Sequence, residues 1–188
     1  GMRRFAAEPA HRFYLASLLA SYTKVVSGSV WVRTPRGARR RTFSELDPVR
    51  LSEVLELVPE GYRPLVYRRL GDLALFLTGV FPDYAGGRML RPAELQRLLR
   101  AAGITGPQVM EFFGEAASGP GDPYGALTVL EQLGQRWYRL ASGPDPRGMQ
   151  RVLAEVAEGF RQARRILNFI TDRYVHRFRM RWFPLPSA

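Results

Sequence analysis

Between Leu70 and Pro82 the chain reads LGDLALFLTGVFP, a nearly unbroken apolar run with one carboxylate, Asp72, near its head. A helix that is apolar on almost every side has to lie in the middle of a domain. A carboxylate inside such a helix has to be neutralised or paired by its surroundings. The run therefore predicts an all-α fold, a bundle of roughly six or seven helices, with a short hairpin or irregular arm near residues 29–43. A chain of 188 residues is long enough to build that core as a single domain over 1–188, without disulfides or metals.

Apolar residues recur at helical spacing through most of the chain. Phe13, Leu15, Leu18, Leu19, Tyr22, Val25 and Val26 predict a first amphipathic helix, which Gly28 is expected to end. Beyond it, Val30 and Val32 alternate around Trp31, and Thr34-Pro35-Arg36-Gly37 reads as a turn. Asp47-Pro48, Asp122-Pro123 and Asp145-Pro146 share a start signal, since aspartate caps free amides and proline at the first helical position loses no hydrogen bond. The first of these helices carries Leu51, Val54, Leu55 and Val58 and stops at Pro59, and the next runs from about Glu60 to the residue before Pro82. Tyr84 to Leu90 reads as a loop. The stretch 92–118 reads as a helical hairpin, closed at its turn by Gly103, and Gly119-Pro120-Gly121 as a hinge. Leu127, Leu130, Leu133, Trp137 and Leu140 line one late helix, and Met149, Leu153, Val156, Phe160, Leu167, Ile170, Tyr174 and Phe178 line one face of a long last one. Gly71 and Gly134 lie inside strong helical patterns, where the usual compensation for glycine is a close backbone contact, so they are expected where two core helices cross.

The segment YRRLGDLALFLTGVFPDY, followed later by LEQLGQRWYRLA, resembles a family of uncharacterised bacterial helical proteins. In that family a similar LGD-x-ALF-x-x-G-x-F segment precedes a helix bearing glycine and an aromatic. The resemblance spans Tyr62 to Ala141, with Leu95 to Ala117 as an insertion between the matching parts. It implies a shared bundle and brings no activity or catalytic residue with it.

The net charge is +11, and every basic residue except Lys24 is arginine. The preference for arginine over lysine reads as the mark of a GC-rich bacterial genome, but the excess of cations over acids does not follow from codon bias. Such a surface attracts nucleic acid, anionic lipid or acidic protein. No cysteine is present, which removes disulfides, thiolate metal sites and cysteine nucleophiles and agrees with a reducing compartment. Glu8, Pro9, His11 and Arg12 interrupt any signal-peptide core, and no stretch is apolar for long enough to be a transmembrane segment. A cytoplasmic location is expected.

Asp72 is read as a structural carboxylate fixed by an arginine or a tyrosine, with Arg68 one helical turn away as the nearest candidate. The alternative is a functional acid with a proton affinity raised by burial. Histidine occurs only at His11 and His176, and neither stands in a metal or triad motif; Asp172 beside His176 and Glu155 beside Glu158 read as solvated faces. No phosphate-binding glycine loop is present. No cofactor and no metal are expected, and an enzyme is disfavoured.

Two basic stretches remain. Arg33, Arg36, Arg39, Arg40 and Arg41 crowd the arm, with Trp31 able to stack on a base. Arg173, Arg177 and Arg181 form a stripe on the last helix beside Tyr174, Phe178 and Trp182, aromatics expected to pack into the core. The segment Glu94–Ala116 resembles a helix-turn-helix, but Leu99 occupies a position that favours a small residue, and Gln108, Glu111 and Glu115 supply no cation for phosphates. The sequence points to a non-enzymatic helical protein acting through macromolecular contacts, with a protein partner or itself as a homodimer. The alternative is a nucleic-acid-binding protein using the arm at 33–41, or the helix-turn-helix at 94–116.

Overall fold

The apolar run becomes the central helix of the bundle. A computed structural model describes residues 1–22, 27–34, 37–44, 46–87, 90–117 and 125–175, with the backbone alone over the two strands and at 84, 86–87, 115–117 and 175. Helices α1 (Met2–Ala7) and α2 (Pro9–Ser21) precede a hairpin of β1 (Ser27–Thr34) and β2 (Gly37–Ser44). Then follow α3 (Pro48–Ser52), α4 (Arg63–Val80), α5 (Pro82–Gly87), α6 (Pro92–Ala101) and α7 (Gln108–Ala117). The described chain closes with α8 (Ala126–Ser142), α9 (Met149–Glu158), α10 (Phe160–Ile170) and one wide turn over Thr171–Val175. The fold is an all-α bundle carrying a two-stranded antiparallel hairpin, paired from Ser27 with Ser44 to Thr34 with Gly37.

Every residue of α4 from Leu70 to Val80 is buried. The helix packs mainly on α8 and α10, with α2, α3 and α5 completing its surround. Thr78 stays in this apolar setting by donating its hydroxyl to the Ala74 carbonyl at 2.7 Å, which removes the cost of an unsatisfied buried donor. Trp137, Tyr22 and Phe160 are fully buried around α4 and its own Phe76, and burying each such ring contributes about 1.5–3 kcal/mol. Gly71 and Gly134 lie where α4 crosses α8, as expected. A Cβ at 71 would stand 2.6 Å from the Tyr138 ring, and one at 134 would stand 2.6 Å from Phe160 and 2.9 Å from Ala74 Cβ.

Several local expectations are corrected. The first apolar helix, α2, ends at Ser21, short of the expected Gly28, and Gly28 lies in β1, paired with Phe43. Its buried face is His11, Tyr14, Leu15 and Leu18, which turns Phe13 outward to 70 % exposure. Val25 and Val26 lie outside the described residues. Asp47 does cap α3, its Oδ1 accepting from the amides of Val49 and Arg50 at 3.0 and 3.3 Å. Asp145 caps no helix, because α9 begins only at Met149 after Gly148, and Asp145 pairs instead with Arg147 at 2.8 Å. Asp122-Pro123 and Gly119-Pro120-Gly121 fall outside the described residues.

The expected loop from Tyr84 is helical as far as Gly87, since Pro82 begins a turn in which the Ala85 amide donates to the Phe81 carbonyl at 3.0 Å. The helix after Asp47 is short and tightens into a 3₁₀ turn at Glu53–Glu56. The long last helix breaks at Gly159, the position over which the Phe5 ring of α1 packs. Its buried face is Leu153, Val156, Phe160 and Leu167, whereas Met149 is exposed and Tyr174 is 67 % exposed. The α6–α7 hairpin adds Leu98, Leu99, Ala102, Ile104 and Phe112 to the same core cluster, with α6 packed on α3 and α7 on α8. Among the described residues, no helix is long and apolar enough to cross a membrane.

Candidate functional site

Asp72 is 7 % exposed and sits where α2, α4 and α8 meet. The hydroxyl of Tyr14, from α2, donates to its Oδ1, and the hydroxyl of Tyr138, from α8, donates to the same oxygen at 2.9 Å. Arg68 Nε stands 3.9 Å from Oδ2, a loose ion pair, and its guanidinium also lies 5.8 Å from the centre of the Tyr14 ring. The expected arginine and tyrosine partners are therefore both present, and tyrosines hold the carboxylate more closely than arginine does. Burial raises the Asp72 pKa above its ordinary 3.8, against the opposing pull of the two hydroxyls and of Arg68 and Arg69. Burial, with the neighbouring carboxylate, also raises both tyrosines well above the usual phenol value. The group is thus biased toward a neutral cluster. A pocket of about 310 Å³ opens beside it, between Leu18, Ser21, Leu65 and Arg69. Arg69 is held across this opening, 4.3 Å over the Tyr22 ring and donating to Ser21 Oγ at 3.1 Å.

The arm is a regular ribbon. Trp31 pairs with Arg40, Val32 with Arg39, Val30 with Arg41 and Arg33 with Ala38. Paired residues share a face, and faces alternate along a strand. The register therefore places Trp31, Arg33 and Arg40 on one face of the ribbon and Arg39 and Arg41 on the other. Arg36 lies outside the described residues. The ribbon joins the bundle where β2 meets α3.

In the terminal stripe, Arg173 lies 5.9 Å over the Tyr174 ring, and Arg177, Arg181, Phe178 and Trp182 lie outside the described residues. The expectation that these aromatics continue the core is corrected at Tyr174, which the break at Gly159 and the wide turn at Thr171–Val175 leave on the surface. Of the histidines, His11 joins three elements. Its ring stacks on Phe5 at 4.1 Å, Nδ1 lies 3.2 Å from the Phe5 carbonyl, and Nε2 lies 3.0 Å from Glu155 Oε2. Among the described residues no group of three or more His, Asp or Glu side chains is placed to hold a metal ion.

One concavity is a feature that the sequence reading missed. A cleft of about 540 Å³ lies between α7, α8 and α10. Arg136 and Arg139 of α8 line it, together with Arg161, Arg164 and Arg165 of α10, against the carboxylates of Glu111 and Glu131. Glu131 is only 5 % exposed; Arg161 Nε lies 3.0 Å from its Oε1 and Arg164 Nε 3.1 Å from its Oε2. The Arg164 contact is an ion pair without hydrogen-bond alignment, so that buried N–H has no acceptor among the described residues. The local signal was the spacing Arg136-x-x-Arg139 and Arg161-x-x-Arg164-Arg165, which puts each group on one helix face. Gln108 and Glu111, weighed above as groups of a recognition helix, form the opposite wall of this cleft.

Compared with protein-family models, with curated proteins and with solved structures, the chain matches none.

Proposed function

We propose that this chain is a non-enzymatic helical protein that works by contact with a nucleic acid, using the hairpin arm as its contact surface. The observation that carries the reading is the register of β1 on β2. A ribbon with an aromatic and two arginines on one face and two arginines on the other offers a stacking surface beside phosphate-binding cations. A two-stranded ribbon is also of the width that a major groove admits. The net charge of +11 adds long-range attraction. Asp72, the single carboxylate of α4, has its Oδ1 held by Tyr14 and Tyr138 inside the core, which supports a structural role for it. The reading brings with it a cytoplasmic setting, where nucleic acid is at hand.

The test is fluorescence polarisation of labelled duplex DNA, single-stranded DNA and RNA with the wild type and with R39A/R40A/R41A. Wild-type binding should fall steeply between about 50 and 200 mM salt, and the triple variant should lose most of it at every salt concentration. Equal, weak binding by both proteins would remove the arm from the reading. Self-association is the second reading, favoured by Phe169, 57 % exposed, and the neighbouring exposed Tyr174. Sedimentation velocity of the wild type and Phe169→Ser separates it, since only a dimer through this end would shift to monomer.

A further inference from the structure

We propose that the cleft between α7, α8 and α10 is a binding site for a small organic phosphate bearing two or more negative charges. This site is separate from the hairpin arm and does not depend on it. Its volume of about 540 Å³ falls within the range of small-molecule pockets, about 300–1,000 Å³. A duplex presents its phosphates on a convex backbone, whereas a cleft walled by three helices suits a ligand that enters it.

The charge inside the cleft is unbalanced, five arginines standing against the two carboxylates of Glu111 and Glu131. Glu131 is taken up by Arg161 and Arg164. Arg139 and Arg165 face the same space with no carboxylate partner among the described residues. Arg136 is oriented by donating its Nε to the Ala102 carbonyl at 3.2 Å, which fixes the group without neutralising it. Several like charges held together on two packed helices repel one another, and a polyanion between them relieves that repulsion.

The arrangement is also pre-formed. Glu131 occupies the Nε edges of Arg161 and Arg164, so it acts as a positioning residue for both guanidiniums. The Arg164 Nε–H is buried against Glu131 without an aligned acceptor, which leaves the far edge of that guanidinium as the one directed to a ligand. Guanidinium forks match the oxygens of phosphate in pairs, and sites fixed before binding lose less entropy when occupied. Ile104, Phe112 and Leu127 supply an apolar wall, which suits a ligand with an organic body over a bare ion.

Isothermal titration calorimetry with pyrophosphate, metal-free ATP and citrate tests the assignment on the full chain. Pyrophosphate and ATP should each saturate a single site, ATP the more tightly, and citrate should bind more weakly than either. Arg139→Gln with Arg165→Gln changes two exposed side chains and removes two of the mutually repelling charges, so the melting temperature of the free protein should not fall. The same pair should weaken ATP binding about tenfold or more. R39A/R40A/R41A should bind ATP as the wild type does, so failure of the arm and failure of the cleft are read separately. Absence of saturable binding, equal affinity in the double variant, tighter binding of citrate, or competition for the cleft won by duplex DNA would each overturn the proposal.

Discussion

The Tyr138 hydroxyl donates to Asp72 Oδ1 at 2.9 Å, and its ring fills the space that a side chain at the preceding residue, Gly71, would need. One residue of α8 therefore fixes both the distance between the two core helices and the hydrogen bonding of the buried carboxylate. Because the hydroxyl is anchored, the ring has little freedom to retreat.

Gly71→Ala should accordingly destabilise the protein. Overpacking of this kind costs about 1–3 kcal/mol, whereas the helix-propensity gain from glycine to alanine is about 1 kcal/mol. Gly114, in α7, has nothing within 4 Å of a built Cβ, so there only the propensity gain applies. Chemical denaturation of both variants should show midpoints moving in opposite directions, down for Gly71→Ala and up for Gly114→Ala.

Asp72 should make the protein less stable as pH rises. Burial raises its pKa above 3.8, so folding favours the protonated form. That preference is fully present below the unfolded value and is lost as pH rises through the folded one. With the proton on Oδ2, both tyrosine hydroxyls still donate to Oδ1. Asp72→Asn keeps an acceptor for them and carries no charge, so the stability difference should shift in favour of Asp72→Asn as pH rises from about 4 toward neutral. Asp72→Ala leaves two buried hydroxyls without their acceptor, at about 1–3 kcal/mol each, and should be destabilised throughout. Urea unfolding of the three proteins across a pH series measures both effects.

The parts of this molecule that were legible in the sequence are those decided within a few turns of chain. The all-round apolar character of Leu70–Val80 predicts its own burial, and Arg68 is reachable from Asp72 because it is one turn away. Tyr14 was not assignable, because it belongs to a helix 58 residues distant and only tertiary packing turns its hydroxyl inward. The break at Gly159 has the same cause, an aromatic from the opposite end of the described chain lying over it. The arginine cleft was hidden for a further reason. Each of its helices, read alone, has an ordinary solvated face, and the excess of charge exists only once α8 and α10 pack side by side.

The three Asp-Pro pairs carry the same local signal, yet the structure separates two of them. Asp47 accepts from two amides of α3, whereas Asp145 is a mostly exposed carboxylate paired with an exposed arginine. Asp47→Ala should cost about 1 kcal/mol. Asp145→Ala should change stability by less than about 0.5 kcal/mol. Thermal unfolding of the two variants checks the contrast, and equal losses would mean that Asp145 has a capping role in solution.

Glu155 gives the opposite pH dependence to Asp72. The hydrogen bond from Arg151, and with it the contact to His11, holds its carboxyl below the ordinary 4.5. Stability from a lowered carboxyl is present above the unfolded pKa and disappears as pH falls through the folded one. His11 sets its Nδ1 against the Phe5 carbonyl and its Nε2 against Glu155, and so ties α1, α2 and α9 together. Glu155→Gln should be less stable than the wild type at neutral pH, and the gap should close on acidification below about pH 4.5. Because Glu155 is partly exposed, added salt should narrow the gap as well. A difference between the two proteins that is the same at every pH and salt concentration would assign position 155 a packing role in place of an ionic one.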